Sequence, residues 1–160
     1  MTTKDPFSVD IVLRHPSQSP RHISKALSLK PEFSHAVDDR VAKLRRRWKK
    51  TLFYACLQKG DYASKFESSL TKVVLFLEKN AAFWTDFTSG NGEVELILKH
   101  TINPQDEAGD KCFELYLAPA FLRDVSARGI GLRVQGWQGS TEGISRRGKK
   151  ISRTKLRAKS

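Results

Sequence analysis

Hydrophobic and polar residues alternate along this chain in two rhythms, one of period two and one near 3.6, and the changes between them outline the elements. Phe7, Val9, Ile11 and Leu13 alternate with Ser8, Asp10 and Arg14, the pattern of a half-buried strand. Pro16 stops it. Ser19-Pro20 then supplies an N-cap and a first-turn proline, so a helix is expected there, with Ile23, Ala26 and Leu27 as its apolar stripe and Pro31 ending it by residue 30. Residues 30–50 show no sustained period, although Ala36–Val41 is compatible with one helical turn. Thr51–Leu57 is β-rich and reads as the next strand.

The strongest amphipathic signal follows. Asp61 is placed as an N-cap, and Tyr62, Phe66, Leu70, Val73, Val74 and Leu77 recur on one helical face up to Lys79, with Asn80 as the C-cap. Ser89-Gly90-Asn91-Gly92 is a turn. Val94, Leu96 and Leu98 then face one way, with Glu93, Glu95 and Lys99 opposite. Residues 103–110 form a polar connection, and Phe113, Leu115 and Leu117 give a returning strand over Cys112–Leu117. Pro119–Arg128 reads as a helix buried through Leu122 and Val125 and ended by Gly129 in the left-handed conformation; Ile130–Trp137 closes as a strand carrying Ile130, Leu132 and Val134.

From Thr51 to Trp137 this order is βαββαβ, the split-βαβ arrangement of ferredoxin-like domains. The predicted fold class is therefore α+β. It has a ferredoxin-like core, an additional N-terminal β-α unit, and an antiparallel or mixed sheet with helices packed on one face. The apolar pattern disappears from Ser140, which divides the chain into a domain over 1–139 and a basic, disordered tail over 140–160.

Charge changes the picture more than composition does. At 160 residues with 39% hydrophobic content the chain can bury a core without staples. Its net charge of +12 is concentrated in two places. Arg40, Lys43, Arg45, Arg46, Arg47, Lys49 and Lys50 form one block. Arg146, Arg147, Lys149, Lys150, Arg153, Lys155, Arg157 and Lys159 form the other, and everything outside the two carries −3. No apolar run approaches the ~20 residues that span a bilayer, so no membrane association is expected. Met1–Asp10 lacks the basic and apolar regions of a secretory signal, and a cytoplasmic location is the default expectation. Cys56 and Cys112 both fall in predicted strands and read as buried free thiols rather than a disulfide.

Several local phrases resemble a bacterial family known only as domain of unknown function 4279. They are the opening strand, the Pro20–Pro31 segment with Ile23, Leu27, Leu29, Lys30 and Pro31, the strand led by Trp48, the long helix, and the closing run through Leu115, Phe121, Leu122, Gly129, Ile130 and Val134. The likeness spans residues 7–139. Val37-Asp38-Asp39-Arg40 stands where a glycine is usual in that family, and the basic tail is not a family feature. The resemblance implies an α+β domain from a bacterium or phage and brings neither an activity nor site residues with it.

The chemistry-bearing residues do not assemble into a catalytic motif. His15, His22, His35 and His100 are expected in or beside loops, with no His-x-x-x-His or Cys-x-x-Cys pair, so no metal ligands and no cofactor are assigned. Cys56 and Cys112 have no histidine beside them in sequence, and no catalytic residue is assigned. Gly143 to Lys150 nearly matches a phosphate-binding loop, but Lys150 replaces the magnesium-binding hydroxyl. Glu93 and Glu95 read as a solvated sheet face. The expected function is a non-catalytic domain that binds a macromolecular partner, an unidentified protein in the manner of an immunity-type or regulatory protein. The alternative is a nucleic-acid-associated protein. It would use Arg45, Arg46, Arg47, Trp48, Lys49 and Lys50, and in the tail Arg146, Arg147, Lys149, Lys150, Arg153, Lys155 and Arg157, for phosphate contacts. For Trp48 the plainer expectation is entry into the core as the strand begins.

Overall fold

The alternation near the start of the chain becomes strand β1, Phe7–His15, and the sheet is assembled around it. A computed structural model describes residues 6–42, 45–61, 63–102 and 116–138. In chain order these form β1, α1 (Pro20–Leu27), β2 (Phe33–His35), β3 (Thr51–Gly60), α2 (Phe66–Lys79), α3 (Ala81–Ser89), β4 (Glu93–Ile102), α4 (Pro119–Ala127) and β5 (Ile130–Gln138). The fold is α+β, with a five-stranded mixed sheet in the order β2-β3-β1-β4-β5. β1 runs antiparallel to both β3 and β4, β2 is antiparallel to β3, and β5 is parallel to β4.

β1, expected as an addition to the βαββαβ core, is instead the central strand. β3 and β4 do not pair with each other; the α2–α3 connection carries the chain over β1, so the unit is a split β-α-β with the N-terminal strand in the gap. The expected strand at 112–117 has only its last two residues among those described, and the tail over 140–160 lies outside them.

Side-chain alternation in register explains the two layers. Ile11 faces Ala55 and Leu96, Leu13 faces Phe53 and Val94, and Val9 faces Leu98. All of these are buried, and they meet Ile23 and Leu27 of α1, Leu70, Val73 and Leu77 of α2, Trp84 and Phe87 of α3, and Phe121 and Val125 of α4 in one core. The four helices thus lie on one face of the sheet.

The element boundaries have local causes. Ser19 caps α1, its hydroxyl accepting from the His22 amide at 3.2 Å, and Pro20 opens the helix. α2 starts four residues later than expected, at Phe66, because Ala63–Lys65 forms a 3-10 turn first. Residues 81–89 form a helix that the sequence pattern does not announce. Its Trp84 is buried and its indole N–H donates to the Leu77 carbonyl at 2.9 Å, satisfying a terminal acceptor of α2. On α4 the buried face is Phe121 and Val125, while Leu122 is 43% exposed, one position off the expected stripe. Gly129 follows at φ 66, the left-handed conformation that favours glycine.

At the end of β1, His15 is buried and its Nδ1 accepts from the amides of Ser17 and Gln18, at 3.1 and 2.9 Å. That places the proton of the neutral ring on Nε2, and a Cβ at Gly90 would lie 2.9 Å from that nitrogen. The imidazole therefore shapes the turn into α1 in its neutral form, and burial holds its pKa below the usual histidine range.

Two stability outcomes follow from these placements. Ile11→Ala is expected to cost about 2–5 kcal/mol in urea unfolding, and Leu75→Ala on the exposed side of α2 less than about 0.5 kcal/mol; equal costs would show that β1 is not central to the core. The unfolded His15 ring takes up its proton near pH 6.5 and the folded ring only below that, so the unfolded chain binds more protons in between. Stability should therefore fall as pH drops below 6.5, and His15→Asn should flatten that slope. A slope unchanged by the substitution would assign the loss to other groups.

A basic aromatic groove as the candidate functional site

The sheet has a second face, turned away from the helices, and its residues form rows across the strands. His35 of β2 lies opposite Leu52 of β3, Leu52 opposite Arg14 of β1, and Arg14 opposite Glu93 of β4. This row is the one nearest the loop over residues 36–50, because β1 ends and β3 begins there. The loop doubles back on itself. The Asp38 amide donates to the Trp48 carbonyl at 2.8 Å, the Trp48 amide to the Asp39 carbonyl at 3.0 Å, and the Val41 amide to the Arg46 carbonyl at 3.0 Å. Asp38 adopts φ 68 to make the bend, a conformation that Asp tolerates better than most residues. The helical turn expected over Ala36–Val41 is replaced by this narrow hairpin.

Loop and row enclose a groove of about 510 Å³ lined by Arg14, His35, Val41, Arg46, Arg47, Trp48, Lys49, Lys50, Thr51 and Leu52. Trp48 does not enter the core. It is half-buried and stacks on His35, with ring centroids 3.7 Å apart and planes 12° from parallel, while Phe33 meets the other part of His35 edge-on at 5.9 Å. The tier Phe33–His35–Trp48 thus stands between β2 and the loop, outside the helix-side core.

Charge around the groove is only partly compensated. Lys50 pairs with Glu93, and that hydrogen bond holds the Glu93 carboxyl below the usual carboxylate range. Arg14 reaches Glu95 at 3.8 Å, and Arg133 takes the same carboxylate at 2.8 Å. The Arg47 guanidinium donates to the Asp38 carbonyl at 3.1 Å. Arg46, Arg47 and Lys49 therefore have no acidic partner among the described residues, and all three are exposed. Glu93 and Glu95, expected as a merely solvated face, are in fact ion-paired.

Of the residues singled out by sequence, Arg46, Arg47, Trp48, Lys49 and Lys50 are brought together here; Arg45 is exposed on the same loop but does not line the groove. The tail cations from Arg146 onward lie outside the described residues. Arg14 and His35 were not singled out for this site. Arg14 occupies an outward position in the β1 alternation, which is a weak signal, and β2 is too short to give any. His15 and His35 end β1 and β2 beside loops, as expected, whereas His22 lies in α1 and His100 within β4. Among the described residues no three His, Cys, Asp or Glu side chains converge as a metal ion needs, and no helix is long and apolar enough to cross a membrane.

A second polar cluster occupies the middle of the same face. Asp10 is 2% exposed and accepts from the Tyr54 hydroxyl and from the Lys99 ammonium, whose Nζ lies 2.7 Å away and also donates to Tyr54. Burial opposes the charge on Lys99, but the hydrogen bonds and the field of Asp10 outweigh it and the ammonium titrates above its usual range. Cys56, a free thiol, lies directly opposite Asp10. Burial first and the neighbouring carboxylate second push its pKa up to about 11.

No protein family, no curated protein and no solved structure matches the chain.

With Cys112 replaced by serine, Cys56 is expected to react with iodoacetamide at pH 8 on the order of a hundredfold more slowly than an unperturbed thiol. Asp10→Asn should accelerate it, by removing the opposing charge. An ordinary thiol rate in the parent would show that Asp10 and burial do not govern this position.

Proposed function

We propose that this protein is a non-catalytic domain that associates with nucleic acid through the groove beneath the 36–50 loop. The observation that carries this reading is Trp48. An indole held outside the core, beside three cations without an acidic partner among the described residues and two ion-paired ones, combines phosphate attraction with an aromatic surface, as nucleic-acid contacts require. The reading promotes the alternative drawn from sequence over the protein-partner expectation. The latter keeps one support of its own, the 55%-exposed Phe33 on the three-residue edge strand β2, where a partner strand would find unpaired backbone groups. A kinship with ferredoxin-like sheets rests on the split β3–α2–β4 unit; the adjacency of β4 and β5 departs from it.

The test is fluorescence anisotropy of labelled DNA and RNA with the full chain, over a range of salt. Binding is expected to weaken with a log–log slope of about −0.7 for each single-strand phosphate neutralised. R46E/K49E in the full chain should weaken binding at low salt by at least about tenfold, since it reverses two of the three groove charges that have no acidic partner among the described residues. Binding by the parent that R46E/K49E leaves unchanged would move the site out of the groove, and no binding at all would return the search to protein partners.

A further inference from the structure

Resting on the nucleic-acid reading, the geometry points to an unpaired polynucleotide, single-stranded DNA or RNA, as the ligand of this groove, with one base laid against the Trp48 tier and its flanking phosphates on Arg46 and Lys49. Three observations converge on it. The first is the state of the indole. Its position is already fixed by the His35 stack and by two backbone hydrogen bonds at Asp38 and Asp39, so a base meeting it loses little further side-chain freedom.

The second is His35. Its ring is buried to all but 9%, it lines the groove, and neither Nδ1 nor Nε2 has a hydrogen-bond partner among the described residues. A buried polar group left unsatisfied is destabilising, and a neutral imidazole offers one donor and one acceptor. The two ring nitrogens diverge, so the Watson–Crick edge of a base can satisfy one of them, and in a duplex that edge is already occupied. The third is size and charge. A volume of about 510 Å³ falls within the range of small-ligand sites and suits a splayed nucleotide rather than a helix. Beyond the groove the sheet face is charge-balanced, Asp10 and Glu95 against Lys99 and Arg133, so it does not attract a continuing phosphate backbone. The footprint is therefore short.

The full chain would be titrated, at one fixed salt concentration, against four labelled ligands: dT10, rU10, an abasic deoxyribose-phosphate polymer of the same length, and a ten-base-pair duplex. The expected result is that dT10 or rU10 binds at least about fivefold tighter than the abasic polymer and tighter than the duplex. Trp48→Leu should abolish that advantage and Trp48→Phe should retain most of it. His35→Phe, which keeps a packed ring and removes both nitrogens, should weaken dT10 severalfold and leave the abasic polymer unchanged. Equal binding of dT10, rU10 and the abasic polymer, or a preference for duplex, overturns the single-strand inference while leaving the groove as a phosphate-binding site. No binding of any of the four overturns both.

Discussion

β1 carries two jobs on its two faces, and the rest of the molecule is arranged by that division. Val9, Ile11 and Leu13 are removed from solvent completely and provide the line on which the helices from both ends of the chain converge. Asp10, Val12 and Arg14 point the other way, and because β3 and β4 pair on either side of β1, each meets a neighbour from both. A central strand has no free edge, so every one of these cross-strand contacts is obligatory. A one-residue slip in either pairing would exchange the two faces, sending Asp10 into the apolar core.

The polar face is not a neutral backdrop. Asp10 is almost without solvent, and it is tolerable there as a carboxylate because Tyr54 and Lys99 both donate to it. The same carboxylate suppresses ionisation of Cys56 across the strand pair. The middle of the face is thereby self-satisfied, with acids and bases matched. At the end where β1 stops and β3 starts the matching fails: among the described residues the loop's Arg46, Arg47 and Lys49 have no acid to meet them, and the His35 ring nitrogens have no partner. Self-satisfied polar networks specify structure; unmatched ones are where binding is to be sought.

The basic block at 40–50 has its meaning from the backbone of its loop. In an extended segment, successive arginines would project in different directions. The hairpin, held by the Asp38–Trp48 and Val41–Arg46 hydrogen bonds, gathers four of the block's side chains with Trp48 along one groove wall and leaves Arg45 aside. Trp48 is kept out of the core by the same geometry, since its amide and carbonyl are committed to the loop three residues before the strand begins at Thr51.

What the chain determined by itself is the set of elements whose signal is periodic: β1, α1 with its Ser19-Pro20 start, the long helix ending at Asn80, β4, the α4–Gly129–β5 passage, and the location of the basic block. Each rests on local sterics, capping or a repeated apolar spacing, which a linear reading can detect. The tertiary structure decided the rest. The βαββαβ order describes succession and not adjacency, so nothing local could place β1 between β3 and β4; that depends on which apolar faces find each other across long separations. The helix at 81–89 is buried on too many sides to show a stripe, and β2 has three residues, too few for a period. The groove itself joins Arg14, His35, Leu52 and the 46–50 segment from three strands and a loop. Hydrogen bonding in register brought them to one row, and no spacing along the chain encodes a distance across a sheet.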